Sequence, residues 1–326
     1  MAFLIGFIAF VLFEWGFILA SRKLHMGAPV TERSSHKTFT PTSGGIVVVV
    51  SAAVFACLFR DQLPTQWWVM LGGAAILAII SFIDDIHPLP PVPRLIAQAI
   101  VMAAAFYPLC YPQAAHILIL VIFCGVGFIN ALNFLDGISS MLSLYALTIV
   151  LTLIYVIADT PQIPDGGLYI ELGAWLAIGI AAFAVFNFRD RIFAGDVGSI
   201  TLGFLLAFIM AKLILATGDG TYFVFIIVCI CDTGLTTLHR LFIGENILLP
   251  HRKNIYQTLV SKWGIPQIAV SISYALLQLL INALYILTPR SQHWTYLIIV
   301  SLMLVTCYFM IRRATRLREE SAGKSY

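Results

Sequence analysis

Long apolar stretches separated by short polar loops follow one another along the whole chain. Most come close to the ~20 residues that an α-helix needs to cross the ~30 Å hydrocarbon core of a bilayer. The pattern predicts an all-α, polytopic membrane protein with about ten to eleven transmembrane helices in a single integral domain over residues 1–326. The predicted spans are residues 3–20, 44–59, 67–83, 94–110, 116–132, 141–158, 171–186, 199–217, 221–238, 266–287 and 294–311.

The composition separates this chain from soluble domains. Of its 326 residues, 60% are hydrophobic and 11% are charged, with a mean hydropathy of +0.94, whereas soluble domains are about 45–50% apolar and about 25% charged. No basic residue precedes the first apolar stretch, so we expect a retained first span and not a cleaved signal peptide. The six cysteines show no CxxC spacing and are expected to be buried apolar side chains.

The distribution of Lys and Arg predicts how the protein lies in the membrane. With the N-terminus outside, the inner segments are residues 21–43, 84–93, 133–140, 187–198, 239–265 and 312–326. Counting Arg94 at the start of its helix, this orientation places every Lys and Arg at the inner face except Arg60, Arg290 and Lys212. That bias follows the positive-inside rule.

Acidic side chains collect on the same predicted inner loops. Asp84 and Asp85 are adjacent at the end of an apolar stretch, and Asp136 and Asp196 follow or begin other stretches at the same face. Separated carboxylates that converge at one face suit a hard divalent cation, and Mg²⁺ fits best, with Mn²⁺ as a substitute. The alternative for each acid is a solvated helix end.

A polar stripe leads into the third inner loop. Asn130, Asn133 and Asp136 recur at intervals of three residues, so on one continuing helix they would share a face. The stripe predicts a polar environment on that face. The alternative is that the asparagines bridge neighbouring helices within the membrane.

Basic side chains accompany the acids on the inner loops, where they could neutralise phosphate oxygens. The alternative for each is a cation that extends from the apolar region to the membrane surface. These residues are Arg33, His36, Lys37, His251, Arg252 and Lys253. Asp232 is different, because it lies inside an apolar stretch, and an ionisable residue there is a functional candidate by default.

The ordered set of motifs from His36 to Gln257 resembles the bacterial polyprenyl-phosphate N-acetylhexosamine-1-phosphate transferases of glycosyltransferase family 4. The resemblance implies that Asp84 and Asp85 are the paired acids of the family signature. Asn133 and Asp136 match its NxxNxxDG segment, and Asp196 matches the Asp of its metal-associated GDxGS motif. We therefore expect Asp84, Asp85 and Asp136 to be catalytic and Asp196 and Asn133 to hold the metal.

The resemblance also implies a reaction: transfer of a sugar 1-phosphate from a UDP-N-acetylhexosamine to undecaprenyl or another polyprenyl phosphate, with release of UMP. Direct attack by the lipid phosphate and a covalent aspartyl intermediate are both open. We favour direct attack, with Asp84 or Asp85 taking the proton, because it needs only positioning and charge neutralisation. The expected substrate-binding residues are Arg33, His36, Lys37, Asn130, His251, Arg252, Lys253 and Asn254.

The last motif departs from the best-known members. Where those carry a cluster of histidines, this chain has His251-Arg252-Lys253-Asn254, which resembles the HRxHxYQ variant of enzymes that start O-antigen or capsule chains. Ser139 replaces a second Asp found in the peptidoglycan translocase. The resemblance thus predicts a simple N-acetylhexosamine substrate, a bacterial inner-membrane location with a cytoplasmic active site, and no nucleic-acid partner, with a homodimer left open.

Two other functions were weighed against this one. A transporter or lipid flippase predicts ionisable residues near mid-membrane and two similar halves, and the sequence shows few of the first and none of the second. A different lipid phosphotransferase is the other alternative, but the DGxxAR signature of alcohol phosphotransferases is not present, since Asp136-Gly137 is followed by Ile138-Ser139-Ser140 with no Arg.

Overall fold

The computed structural model describes residues 1–24, 27–28, 40–110, 115–321 and 323. Over these residues it contains twelve α-helices, three 3₁₀ helices and one antiparallel pair of two-residue strands. The α-helices are α1 (Ala2–Lys23), α2 (Ile46–Leu58), α3 (Thr65–Ile86), α4 (Pro91–Cys110), α5 (Ala115–Leu135), α6 (Met141–Ala158), α7 (Gly166–Asn187), α8 (Gly195–Thr217), α9 (Ile227–Phe242), α10 (Ile255–Ser261), α11 (Gln267–Leu287) and α12 (His293–Ser321). The strands are β1 (Gly27–Ala28) and β2 (Thr40–Pro41), and the 3₁₀ helices are Arg60–Gln62, Gly220–Ile226 and Arg290–Gln292.

The prediction of a polytopic helical membrane protein is confirmed. In the described part of the chain, ten helices are long and apolar enough to cross a membrane. The predicted stretch 44–59 forms α2, which has 13 residues and a length of about 20 Å, short of a full bilayer core. It is shorter than predicted because Gly44 and Gly45 form a turn before the helix and Phe59 follows its last residue.

The chain divides into two compact units, Met1–Tyr222 and Phe223–Tyr326. In the first unit, α8 is the central helix, and α2, α3, α4, α5 and α6 all pack against it. Its side chains from Val197 to Met210 are buried on every face. Because α8 begins at Gly195, the Gly195-Asp196 motif is surrounded by the ends of several other helices.

Close backbone contact fixes the start of α2 against α8. The Cα of Gly45 touches Gly198, and a side chain at either position would collide with the other helix. Small residues allow such approach between helices in a membrane. The amides of Gly44 and Gly45 donate to the carbonyls of Phe193 and Ala194 at 2.9 and 3.0 Å, so the turn before α2 lies directly against the loop before α8.

In the second unit, α9, α11 and α12 pack together with the short helix α10. The backbone changes from 3₁₀ to α geometry at Ile226, and Gln278 of α11 covers this change. Its amide accepts from the Val228 N–H at 3.1 Å and donates to the Val224 carbonyl at 2.9 Å. An irregular backbone in an apolar environment needs such partners because no water is available to it.

Candidate active site

A cluster of polar side chains forms in the first unit where several helix ends meet. The end of α3 brings Asp84 and Asp85, and the start of α4 brings Arg94. The end of α5 brings Asn133 and Asp136, and the start of α8 brings Asp196. These predicted inner-face acids therefore lie together, linked by hydrogen bonds across as many as 111 residues of sequence.

Asp85 is anchored on the start of α8. One carboxylate oxygen accepts the Asp196 N–H at 2.8 Å. The other accepts the Ser43 hydroxyl at 2.8 Å and the Val197 N–H at 3.3 Å. The first amides of a helix have no partner within the helix and carry its positive end, so a carboxylate is favoured there. Asp85 is thus held by donors on both oxygens.

Asp84 faces a cation instead of a helix end. Its Oδ2 accepts from Nη1 of Arg94, and its Oδ1 accepts the Leu89 N–H at 2.5 Å. The same Nη1 atom also donates to Oδ2 of Asp196 at 2.6 Å. Two carboxylates from different helices therefore share a single nitrogen atom of one guanidinium group.

Asn133 orients Asp196 from the other side. Its Nδ2 donates to Oδ1 of Asp196 at 2.7 Å and to the Ser199 hydroxyl oxygen at 2.9 Å. Ser199 in turn donates to the Gly195 carbonyl at 2.9 Å. Asp196 thus has one oxygen on an amide and the other on Arg94, which fixes the plane of its carboxylate.

Asp136 lies just beyond the end of α5 and accepts the Gly195 N–H at 3.0 Å. Burial raises the pKa of Asp136 well above its usual range, and the nearby Asp85 and Asp196 carboxylates raise it further, against the opposing hydrogen bond from Gly195. The smaller, like-charge part of this rise is what a bound cation would relieve.

The donor set fits a magnesium ion. Among the described side chains, no three Asp, Glu, His or Cys residues form a complete metal site. Mg²⁺ requires only one or two carboxylates, however, because water and substrate phosphates fill its other positions. Asp84 and Asp196 already place one oxygen each around a single cationic centre, Nη1 of Arg94. Those two residues, with Asn133 beside Asp196, are the ones that would hold the ion.

Asn130 is engaged elsewhere. Its Nδ2 donates to the Gln98 side chain of α4 at 2.6 Å and to the Val126 carbonyl at 2.8 Å. The polar stripe therefore divides: Asn133 and Asp136 join the acidic cluster, whereas Asn130 bridges two helices, as the alternative interpretation proposed. The predicted substrate-binding residues Arg33, His36 and Lys37 lie outside the described residues.

In the second unit, the predicted residues of the last motif are largely involved in shaping their own loop. Asn254 caps α10 through a capping box with Gln257. Lys253 pairs with Glu245, and its carbonyl accepts from Nη2 of Arg312 at 2.6 Å. Arg252 is exposed. Of the predicted cations here, Arg252 is the one that the loop leaves open to a ligand.

Asp232 has a structural task. Its buried carboxylate accepts the backbone N–H groups of Ile255 and Tyr256 at 2.6 and 3.2 Å, and the Tyr274 hydroxyl at 2.8 Å. These three donors tie α9 to the start of α10 and to α11. A buried carboxylate is tolerated when it is hydrogen-bonded in this way, so its burial needs no catalytic role to explain it.

Several residues of these two sites were not predicted from the sequence. Arg94 had a signal, because a cation in the first turn of a helix opposes the helix dipole and needs a compensating partner. Arg240 is buried, pairs with Glu245 and donates to the carbonyls of Asn246 and Leu249 at 2.7 and 3.1 Å. Ser43 and Gln98 gave no signal that separates them from other polar residues at helix ends.

His251 should be neutral in the folded protein. Burial, with the Arg240, Lys253 and Arg312 cations, lowers its pKa to about 4 against the opposing Glu245. The unfolded chain binds this proton near pH 6.5, so we expect stability to be lost as the pH falls from about 6.5 to 4. When the pH is lowered from about 6.5 to 4, the melting temperature of His251→Asn should fall by less than that of the wild type. Parallel curves would contradict a neutral, half-buried His251.

Comparison with known proteins places this geometry in a family. Residues 67–214, which carry all of the acidic cluster, match the model of glycosyl transferase family 4. The chain is 30% identical over 229 residues to the phospho-N-acetylmuramoyl-pentapeptide-transferase of Lactococcus lactis subsp. cremoris strain MG1363, covering 59% of this chain and 67% of that protein. The enzyme of the same name from Lactobacillus delbrueckii subsp. bulgaricus is 30% identical over 238 residues, covering 62% and 72%. That from Streptococcus pneumoniae strain Taiwan19F-14 is 29% identical over 237 residues, covering 64% and 70%. Because the family model covers the helices that build the cluster, and two relatives that are 30% identical are matched over 67% and 72% of their length, the chain belongs to glycosyl transferase family 4.

Proposed function

We propose that this chain transfers N-acetylhexosamine 1-phosphate from a UDP-sugar to a polyprenyl phosphate, giving UMP and polyprenyl-diphosphate-N-acetylhexosamine at the start of a cell-surface polysaccharide such as an O-antigen. The observation that carries the proposal is the pair of carboxylates, Asp84 and Asp196, that share one guanidinium nitrogen of Arg94. Phosphoryl transfer depends mainly on positioning and on neutralising phosphate charge. This cluster supplies carboxylates that can bind a metal ion, and it supplies the Arg94 cation.

The favoured step is direct attack. An oxygen of the lipid phosphate forms a bond to the sugar-linked phosphorus, the bond from that phosphorus to the bridging oxygen breaks, and UMP leaves with the electron pair. Asp84 or Asp85 would take the proton from the lipid phosphate, and each carboxylate has donors on both oxygens, so one donor must leave before either can act. A base must be able to turn an oxygen toward the proton that it removes.

Asp196 and Asn133, with Asp84, are the residues proposed to hold the metal. Mg²⁺, when bound, would neutralise charge on the diphosphate oxygens and hold them in place. Arg94 would then be released from one or both carboxylates, and its guanidinium could pair with a phosphate oxygen in the fork-like geometry that arginine favours.

Two observations point to different sugars. The relatives named above are phospho-N-acetylmuramoyl-pentapeptide-transferases, which favours a UDP-MurNAc-pentapeptide substrate. The loop His251-Arg252-Lys253-Asn254 departs from the histidine cluster of the best-known family members, which favours a simple N-acetylhexosamine. We prefer the simple N-acetylhexosamine. Asn254 and Lys253 make their contacts within the loop, so Arg252 is the exposed cation of this motif.

The proposed setting is the bacterial inner membrane, with the N-terminus outside and the acidic cluster in the cytoplasm. The distribution of Lys and Arg supports this orientation. A cysteine introduced into residues 251–257 should then be protected from impermeant reagents added to intact cells. A single functional domain and a homodimer also stay predictions.

The reaction is tested by UMP release from the purified protein. We expect release from one or more UDP-N-acetylhexosamines only when undecaprenyl phosphate and Mg²⁺ are both present, with partial activity in Mn²⁺ and loss of activity on addition of EDTA. The sugar panel should contain UDP-GlcNAc, UDP-GalNAc, their 6-deoxy forms and UDP-MurNAc-pentapeptide.

The outcomes separate the proposals. Turnover of the pentapeptide substrate alone would retain the reaction class and overturn the sugar. Turnover without added metal, unaffected by EDTA, would overturn the metal assignment. Silence across the panel from folded protein would shift the weight to the transporter or flippase alternative.

A further inference from the structure

Ser43 adopts an unusual backbone conformation directly beside the acidic cluster. It lies in the turn before α2 with a φ of 67° and is 2% exposed. Residues other than glycine rarely occupy this left-handed region, because Cβ comes too close to the backbone. Glycine would adopt the conformation without strain. The chain therefore keeps a side chain at a position where glycine would avoid the backbone strain.

What serine adds at this position is a hydroxyl group aimed at Asp85. Ser43 Oγ donates to Oδ2 of Asp85 at 2.8 Å. The other donors to Asp85 are the Asp196 and Val197 amides, and both come from the start of α8. Ser43 approaches instead from the turn before α2. Donors from two different elements restrict the rotation of the Asp85 carboxylate more than donors from α8 alone would.

The backbone of the turn is fixed independently of Asp85. The neighbouring Gly44 and Gly45 donate to the carbonyls of Phe193 and Ala194, and the Phe193 N–H donates to the Pro41 carbonyl at 3.0 Å. Loss of the hydroxyl should therefore leave the turn in place and remove only its hold on Asp85.

The space around Asp85 leaves little room for another arrangement. A Cβ at Gly195, whose φ is also positive at 69°, would lie 2.5 Å from Oδ2 of Asp85 and 2.8 Å from the Ser43 nitrogen. Asp85 thus sits between the turn of α2 and the first residue of α8. Because it accepts the Asp196 N–H, the orientation of Asp85 is coupled to the backbone of the proposed metal ligand.

We propose that Ser43 is a positioning residue: its hydroxyl fixes Asp85, and through Asp85 it holds the Asp196 end of α8 in the geometry that the reaction requires. This inference rests on the proposed transfer reaction. Ser43 itself touches no substrate in the proposal. Its loss should therefore lower kcat and leave the KM for both substrates nearly unchanged.

Two variants separate the hydroxyl from the backbone strain. Ser43→Ala removes the hydroxyl and keeps the strained Cβ, whereas Ser43→Gly removes the hydroxyl and relieves the strain. We expect both to lower kcat by a similar factor, on the order of 10- to 100-fold, with KM within about twofold of the wild type. Ser43→Gly should melt at a higher temperature than Ser43→Ala.

The matched control is Ser51→Ala. Ser51 lies in α2, the helix that follows the turn of Ser43, and its buried hydroxyl donates at 2.7 Å to the Val48 carbonyl of its own helix. We expect this variant to keep the wild-type kcat. Wild-type kcat in Ser43→Gly would overturn the inference, and so would a kcat that follows melting temperature across the three variants, since that is the behaviour of a purely structural residue.

A second measurement keeps the inference separate from the proposed reaction. If wild-type protein shows no turnover, the proposed function fails, and a thermal double-mutant cycle of Ser43→Ala with Asp85→Asn still tests the contact. Ser43→Ala should lower the melting temperature of the wild type and have a clearly different effect in the Asp85→Asn background. Equal shifts in both backgrounds would show that Ser43 does not act on Asp85.

Discussion

Replacing Arg94 with methionine should reduce kcat about 100- to 1,000-fold while the affinity for Mg²⁺ increases. The first effect is expected because a cation that can pair with phosphate oxygens is lost from the cluster, and a single such contact is worth about that factor. The second follows because Asp84 and Asp196 now share Nη1 of Arg94, so the guanidinium competes with a metal for both carboxylates. Turnover is measured by UMP release, and metal affinity by titration calorimetry.

Two control variants sharpen this test. Arg94→Lys keeps one positive charge but presents it from a single flexible amine, so we expect an intermediate kcat. Arg189→Met removes an exposed arginine that does not belong to the acidic cluster and should leave kcat and Mg²⁺ affinity unchanged. If Arg94→Met kept the wild-type kcat, Arg94 would only fill the place of the metal in its absence and would take no part in transfer.

The helical architecture followed from the sequence because its cause is local. Each apolar stretch long enough to cross a membrane became a helix, and the polar residues between stretches became loops. Two departures are the predicted span 221–238, which begins as a 3₁₀ helix, and the predicted inner loop 239–265, which contains α10. The start of α2 also differs, because residues 40–45 pair with β1 and with the loop before α8. That outcome depends on partners distant in sequence, and the hydrophobic pattern does not encode it.

The acidic cluster was partly predictable. The sequence points to Asp84, Asp136, Asp196 and Asn133 because polar residues have no structural reason to collect at one predicted membrane face, and the structure brings them together. Arg94 was not selected as a site residue, since its role is defined by Asp196, 102 residues away. Packing around α8 creates that contact, and no spacing in the sequence reports it.

Residue type was a weaker guide in the second unit. Asp232 and Asn254 have the chemistry of functional residues, yet both stabilise the start of α10. The sequence shows that a carboxylate lies in an apolar stretch, but it does not show whether backbone amides from another segment reach it. In a membrane protein both a catalytic role and a structural role explain a buried acid, and only the contacts distinguish them.

Replacing Asp196 with asparagine should abolish Mg²⁺-dependent turnover, with a loss of about 1,000-fold or more, and should leave the protein folded in the membrane. The amide oxygen of asparagine can still accept from Asn133, so the start of α8 should keep its packing, but the charge that attracts the metal is gone. UMP release measures the activity, and Mn²⁺ binding followed by electron paramagnetic resonance gives a readout that does not depend on turnover.

The matched control is Asp159→Asn, the same change at an exposed residue just after α6, and it should have wild-type values in both measurements. Normal metal binding in the Asp196→Asn protein would remove Asp196 from the metal site, whereas loss of binding together with loss of the folded protein would make it a structural residue.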